Sequence, residues 1–121
     1  MVSGFRALKV WQRSMQVSAQ VIQLTTAFPK LHHFGLVQQM QRASISIPSN
    51  IAEGYNRKSR KEYVQFLSIA LGSTAELETQ CELSMLAGLA TQEDVAFITT
   101  ELDEIGKMLR VMIQKLSSPS P

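Results

Sequence analysis

The residues best suited to bind a ligand are four cations that stand almost side by side: Arg57, Lys58, Arg60 and Lys61. They lie where a new helix is expected to begin, although the free amide groups of a helix N-terminus already favour acids there. Cations at such a position indicate a site that holds an anion such as phosphate. Tyr55 and Asn56 precede them and offer a stacking ring and an amide donor. The alternative interpretation is a solvated loop that improves solubility.

A polar stripe on the preceding segment supplies a second group of candidates. Its members recur at helical spacing within an arc of about 80°: Gln39, Arg42, Ser46, Asn50 and Glu53. The structural interpretation is a network that fixes helix register, made of Ser46, Asn50, Glu53, Ser73 and Glu76. Arg42 would pair with Glu53 or Glu76. The functional interpretation is a ligand-contact surface, and the network is favoured because buried polar groups most often bond to each other.

Enzymatic chemistry finds little support in the sequence. His32 and His33 are adjacent and point in different directions, so they do not form a metal pair. Cys81 falls on a predicted core stripe and is expected to be an inert small hydrophobe. Three carboxylates, Glu76, Glu78 and Glu82, lack the histidine partner found in di-iron bundles. We therefore predict no enzymatic activity, cofactor or metal, with a metal-dependent enzyme as the least favoured alternative.

Size and composition indicate one folded domain. The chain has 121 residues, of which 45% are hydrophobic and 18% charged, enough for a single core. No apolar run approaches the roughly 20 residues of a membrane span, and no signal-peptide pattern opens the chain. The single cysteine excludes an internal disulfide, so we expect a cytoplasmic protein with no membrane partner.

The formal net charge of +2 hides an uneven distribution along the chain. Residues 1–61 contain nine Lys or Arg and one acid, whereas residues 62–121 contain three Lys or Arg and nine acids. Such a division predicts a basic face and an acidic face. These faces either bind partners or neutralise each other when the two halves pack together.

Apolar periodicity predicts four helices, at about residues 5–27, 34–54, 59–88 and 92–117, in a single domain that spans 1–121. The connections are short and no strand candidate is present. The predicted fold class is therefore all-α, an antiparallel up-down-up-down four-helix bundle. Within it, three residues have expected roles: a kink at Pro48, a left-handed position past a helix end at Gly54, and close approach of another helix at Gly72.

The first helix carries two apolar stripes on nearly opposite sides. The stripe assigned to the core contains Leu8, Trp11, Met15, Ala19 and Ile22. The other stripe contains Val10, Val17, Val21 and Leu24. Since a helix in a simple monomeric bundle needs only one apolar face, we predict that this other stripe is an interface between subunits of a homo-oligomer.

A resemblance to a known family rests on the string Ser-Ile-Pro-Ser-Asn-Ile-Ala-Glu-Gly at 46–54, with supporting matches at 5–12, 34–36 and 70–78. Over these residues the chain resembles the four-helix-bundle proteins encoded in intervening sequences of bacterial 23S ribosomal RNA genes. The resemblance implies an antiparallel bundle that assembles as a homopentamer and has no established enzymatic activity. The chain is also similar to the accessory protein of diversity-generating retroelements, a basic pentameric barrel that binds nucleic acid and partners a reverse transcriptase.

The leading hypothesis is a non-enzymatic, cytoplasmic homo-oligomer, a ring of five by resemblance, that binds nucleic acid, with RNA as the expected ligand. Five cations would supply the phosphate contacts: Arg42, Arg57, Lys58, Arg60 and Lys61. The alternative is a protein-interaction scaffold or accessory subunit whose cations dock an acidic partner protein.

Overall fold

Four long helices and no strand form residues 3–119, the part of the chain that the computed structural model describes. The helices are α1 (Lys9–Thr26), α2 (Gln38–Tyr55), α3 (Arg60–Leu86) and α4 (Gln92–Ser117). Contacts join α1 to α2, α2 to α3, α3 to α4, and α4 back to α1. The predicted all-α four-helix bundle is therefore confirmed.

Local sequence signals set the ends of α3 and α4. Ser59 caps α3, since its hydroxyl oxygen accepts a hydrogen bond from the Glu62 amide at 3.2 Å. Thr91 and Asp94 form a capping box at the start of α4, each side chain accepting the backbone N–H of the other residue. Past the end of α3, Gly88 adopts a left-handed φ of +74°, which lets the chain close the last helical carbonyls with backbone hydrogen bonds.

The connection between α1 and α2 is more regular than the loop that the sequence predicts. A short 3-10 turn (Lys30–His32) is followed by a π-helical turn (His33–Val37), so α2 begins about four residues later than expected. The ring of His33 donates through Nε2 to the Phe28 carbonyl at 2.8 Å. This histidine is therefore half-buried and holds the turn, rather than being freely solvated.

The core is built from one apolar face of every helix. Its most deeply buried large side chains are Val10, Val17 and Val21 of α1, Met40, Ile47 and Ile51 of α2, Leu67 and Leu77 of α3, and Ile98, Leu102, Ile105 and Leu109 of α4. Full burial of such side chains is worth on the order of 1.5–3 kcal/mol each. The regular steps of three and four residues in α4 keep its whole stripe against the other helices.

The valine stripe of α1, which was predicted to be a subunit interface, packs into this core instead. That prediction is wrong. Val17 and Val21 are 0% exposed within one chain, and Val10 is 2% exposed. Leu24 is half-buried against the same core. Valine is compact, so this stripe lets α1 lie close to α2 and α4. The bulkier stripe that includes Trp11 is left nearer the surface.

Pro48 interrupts the hydrogen bonding of α2 without ending the helix. Proline has no N–H, so the carbonyl of Ser44, four residues earlier, lacks its usual helical donor. The hydroxyl of Ser18 on α1 takes that place and donates to the Ser44 carbonyl at 2.8 Å. Both serines are buried, so this bond satisfies a carbonyl that water does not reach. It also ties α1 to α2.

Two glycines do not have the roles that were expected from the sequence. Gly54 lies within α2 and has no left-handed φ. A Cβ added there would stand 2.7 Å from Phe66 Cβ and 3.0 Å from Tyr63 Cδ1. Gly72, by contrast, has no neighbouring atom within 4 Å of an added Cβ. The close approach between helices that was predicted at Gly72 is therefore found at Gly54, between α2 and α3.

Candidate nucleic-acid interface

The segment 55–61, called the cationic turn below, joins α2 to α3 at one end of the bundle. Tyr55 and Tyr63 pack in an edge-to-face arrangement, with the ring centroids 6.1 Å apart and the ring planes at 84°. The guanidinium carbon of Arg57 lies 4.7 Å from the centre of the Phe66 ring, close enough for a cation–π attraction. Because both contacts are made to the first turns of α3, they hold the cationic turn in a defined position against that helix.

All four cations of the cationic turn face solvent. Arg57 also approaches Glu53 at 3.9 Å, a long separation for an ion pair between two largely exposed side chains. Within residues 3–119, no salt bridge involves Lys58 or Lys61. The charges of these two lysines are therefore available to an anion from solution.

Arg42 lies apart from the cationic turn. Fifteen residues separate it from Arg57, which corresponds to about 22 Å along a helix. Its guanidinium donates to Glu76 and to Gln39, both at 2.8 Å. The Glu76 carboxylate offsets the positive charge of Arg42, which was predicted to contact phosphate. The structure therefore does not bring Arg42 together with the other four predicted contact residues.

The polar stripe of α2 bonds to α3, but its members form separate groups. Ser46 Oγ accepts hydrogen bonds from the Asn50 side-chain amide and from the Ser73 hydroxyl, both at 2.9 Å. Asn50 also donates to the Ser46 carbonyl at 2.8 Å. Glu76 binds the arginine described above and Glu53 faces the cationic turn, so neither carboxylate joins the serine–asparagine group. These bonds link α2 and α3 at a defined register.

The end of the bundle that carries the cationic turn gathers further cations, and it is called the basic end below. The start of α1 meets the end of α4 there, because Lys9 and Lys107 line one groove. Lys61 lines another groove with Leu116 of α4. The predicted contact residues did not include the α4 members of this group: Lys107, Arg110 and Lys115. The sequence carries the signal for them, since the start of the first helix and the end of the last helix lie together in the up-down-up-down bundle that it predicts.

Positive and negative charges are separated along the length of the bundle rather than between two of its faces. The segments at the basic end, 3–12, 53–66 and 103–119, carry nine Lys or Arg and four acids, a net charge of +5. The segments at the opposite end, 20–45 and 73–98, carry two cations and five acids, a net charge of −3. The predicted basic and acidic faces are thus a basic end and an acidic end.

A bidentate ion pair joins α1 to α4 between these two ends. Arg13 donates to Glu101 through Nε at 3.0 Å and through Nη2 at 2.7 Å. These hydrogen bonds lower the pKa of the Glu101 carboxyl, which is half-buried. Because each group is held by the other, the pair fixes the packing of α1 on α4 and leaves Arg13 out of the basic end.

The exposed apolar stripe of α1 borders a groove shared with α2, called the α1–α2 groove below. Met15 and Ile22 on α1 are 43% and 42% exposed, and Ile45 on α2 is 47% exposed. The groove has a volume of about 460 Å³ and extends from Ile22 to Trp11 on α1 and from Ile45 to Ala52 on α2. A contiguous apolar surface of this kind is typical of a contact site, whereas single exposed hydrophobic residues are not.

The described residues show no arrangement typical of a metal or nucleophile site. Within 3–119, no three His, Cys, Asp or Glu side chains are placed to share a metal ion, and Glu76 is engaged by Arg42. Burial, with a smaller contribution from Glu78, raises the pKa of the Cys81 thiol to about 11. The thiol is therefore protonated and inert at neutral pH. None of the helices in this part of the chain has the length and hydropathy needed to cross a bilayer.

Fold and surface together define a helical-bundle protein with one basic end and an exposed apolar groove. The profile of the 23S rRNA-intervening sequence protein family matches residues 6–111, so the chain belongs to this family. A solved structure described as a protein of unknown function from the S23 ribosomal protein family of Bacteroides thetaiotaomicron is similar, with a TM-score of 0.79 at 26% sequence identity. The alignment covers 87% of this chain and 95% of that one. No curated protein matches the chain.

Proposed function

We propose that this protein is a non-enzymatic, cytoplasmic homo-oligomer that binds RNA through phosphate contacts at its basic end. The observation that carries the proposal is the net charge of +5 gathered there. Lys58 and Lys61 are exposed within it and lie outside every salt bridge of the described residues. Such a patch attracts a polyanion because each phosphate that it neutralises releases a condensed counterion.

The cations divide into a central group and a surrounding group. The cationic turn supplies the central contacts through Arg57, Lys58, Arg60 and Lys61. Lys9, Arg110 and Lys115 widen the patch across α1 and α4. Arg42, a phosphate contact in the sequence-based hypothesis, is left out because Glu76 holds it elsewhere on α2. Contacts of this type position a nucleic-acid backbone but do not read its base sequence.

A pair of charge-matched variants tests the location of the site. Lys58→Gln with Lys61→Gln removes two exposed cations from the basic end, while Lys30→Gln with Arg42→Gln removes two from the acidic end. Fluorescence anisotropy with a structured RNA should show a large loss of affinity for the first pair and a small one for the second. Each lost phosphate contact should also reduce the slope of log affinity against log salt by about 0.7–0.9.

Three outcomes would contradict this mechanism. Equal weakening by both variant pairs would mean that overall charge, rather than the basic end, attracts RNA. An affinity that barely changes between low and moderate salt would exclude phosphate contacts as its source. Intact RNA binding by the Lys58 and Lys61 variant, together with loss of an associated acidic protein, would instead support the scaffold alternative.

Assembly of several copies is the second part of the proposal, and we assign the contact to the α1–α2 groove. The predicted interface, the valine stripe of α1, is buried within the chain, so the groove is the apolar surface of α1 that faces outward. The family resemblance implies a ring of five. A ring would repeat the basic end, and several linked sites bind a long polyanion more tightly without any new type of contact.

Light scattering on two further variants tests this contact. Met15→Asp with Ile45→Asp places two carboxylates in the groove and should reduce the particle mass while the helix content stays intact. Gln16→Asp with Gln20→Asp adds the same charge at exposed positions of α1 and should leave the mass unchanged. An unchanged mass for the groove variant would refute the assignment. Native mass spectrometry of protein purified without nuclease would count the subunits and reveal bound RNA.

A further inference from the structure

We infer that the basic end binds single-stranded rather than duplex RNA, with Tyr55 as the surface on which an unpaired base stacks. This inference rests on the proposed function, because it specifies the form of RNA that the same site accepts. Its starting observation is that an aromatic side chain stands at the edge of the cationic turn and is 40% exposed.

The geometry of the tyrosine pair leaves a ring face uncovered. Tyr55 and Tyr63 meet with their planes at 84°, so one ring presents its edge to the face of the other. If Tyr55 supplies the edge, Tyr63 covers neither of its faces. If Tyr55 supplies the face, its second face still points away from Tyr63. In both cases Tyr63 leaves at least one face of the half-exposed Tyr55 ring open to another group.

The surroundings of Tyr55 hold the ring in place beside the cations. The residue before it, Gly54, lies so close to α3 that an added Cβ would stand 2.7 Å from Phe66 Cβ. Two residues after it, Arg57 is held over the Phe66 ring. A ring that is already ordered loses little conformational entropy when a base stacks on it. Phosphates on either side of that base would lie within the field of Lys58 and the neighbouring cations.

Duplex RNA does not offer this contact. In an A-form helix every base face except those at the two ends is covered by its neighbours, and the deep major groove excludes side chains. Unpaired bases in loops and single strands can turn outward and stack on an aromatic ring, a contact that tolerates any base. A duplex would still be attracted by the cations, but it would gain nothing from Tyr55.

Two variants that keep the side chain large and apolar test the inference. Tyr55→Phe retains the ring, whereas Tyr55→Leu retains apolar bulk against Tyr63 but removes the ring. Anisotropy is measured with an oligouridine of about 12 nucleotides, an RNA duplex of similar length, and a strand that carries abasic sites but the same phosphates. Tyr55→Leu should weaken oligouridine binding about ten-fold or more, and leave the duplex and abasic affinities unchanged. Tyr55→Phe should bind all three probes like the unaltered protein.

The outcomes separate this inference from the function on which it rests. Equal weakening on all three probes, or no weakening on oligouridine, would overturn the role of Tyr55 while salt-dependent RNA binding stands. Equal affinity of the unaltered protein for oligouridine and duplex would overturn the single-strand preference. No binding to any probe would overturn the proposed function as well. Far-UV circular dichroism of Tyr55→Leu verifies that the helices are intact.

Discussion

Replacing Gly54 and Gly72 by alanine, one at a time, tests how α2 and α3 pack. Both glycines lie within helices, so helix propensity alone predicts that alanine stabilises each position by about 0.5–1 kcal/mol. The structure predicts opposite signs for the two changes, because one glycine faces a neighbouring helix at short range and the other faces open space.

The size of the difference follows from the distances. At Gly54 the added Cβ would stand 2.7 Å from Phe66 Cβ. Since carbon atoms in contact rest about 3.5–4.0 Å apart, the helices would have to separate by about 1 Å. Overpacking of this kind costs about 1–3 kcal/mol, more than the propensity gain near the end of a helix. At Gly72 nothing lies within 4 Å, so the propensity gain is kept. The two variants should differ by about 2 kcal/mol.

Thermal unfolding followed by circular dichroism measures this difference. For a domain of this size, 2 kcal/mol corresponds to a Tm difference of about 8 °C, with Gly54→Ala below the unaltered protein and Gly72→Ala slightly above it. All samples need one protein concentration, because assembly raises Tm with concentration. If Gly54→Ala melts at or above the unaltered protein, the close approach of α2 and α3 at this position is wrong.

Three further predictions concern individual side chains in the bundle. Ser18→Ala should destabilise the protein by about 1–3 kcal/mol in urea unfolding, because the Ser44 carbonyl loses its donor; a cost near zero would contradict that role. The Arg13 bonds lower the pKa of Glu101 in the folded state, so their stabilisation is present above the usual carboxyl pKa and is lost as pH falls through the lowered value. Glu101→Gln should therefore flatten the acid limb of a stability–pH curve, and an unchanged limb would refute this. Cys81, with a thiol pKa of about 11, should resist alkylation in the native protein at mildly basic pH and react only after unfolding.

The parts of the fold that could be predicted from the sequence are set by residues that lie close together along the chain. The cap at Thr91 and the regular apolar stripe of α4 are local patterns whose physical meaning does not change with tertiary context. The bonds among Ser46, Asn50 and Ser73 follow from helical spacing and from the pairing of consecutive helices. Such features need only one helix, or two helices joined by a short turn.

The parts that could not be predicted depend on which surfaces meet. α1 carries two apolar stripes of similar strength, and periodicity does not say whether Val17 or Met15 points inward. A glycine within a helix likewise looks the same in sequence whether its neighbour is a helix, as at Gly54, or solvent, as at Gly72. The basic end was missed for another reason: it requires the cations of α4 to be placed beside those of α1, a step that uses the predicted topology of the whole bundle and that no pattern within a single helix contains.

The separation of charge along the bundle gives the molecule a large permanent dipole moment. A net charge of +5 at one end and −3 at the other are separated by most of the length of α4, whose 26 residues span about 39 Å. A polyanion approaching from any direction exerts a torque that turns the positive pole forward before the surfaces touch. At physiological ionic strength, screening limits this alignment to about 8 Å from the surface. Lowering the salt concentration extends that range, so it should raise the association rate far more than it lowers the dissociation rate.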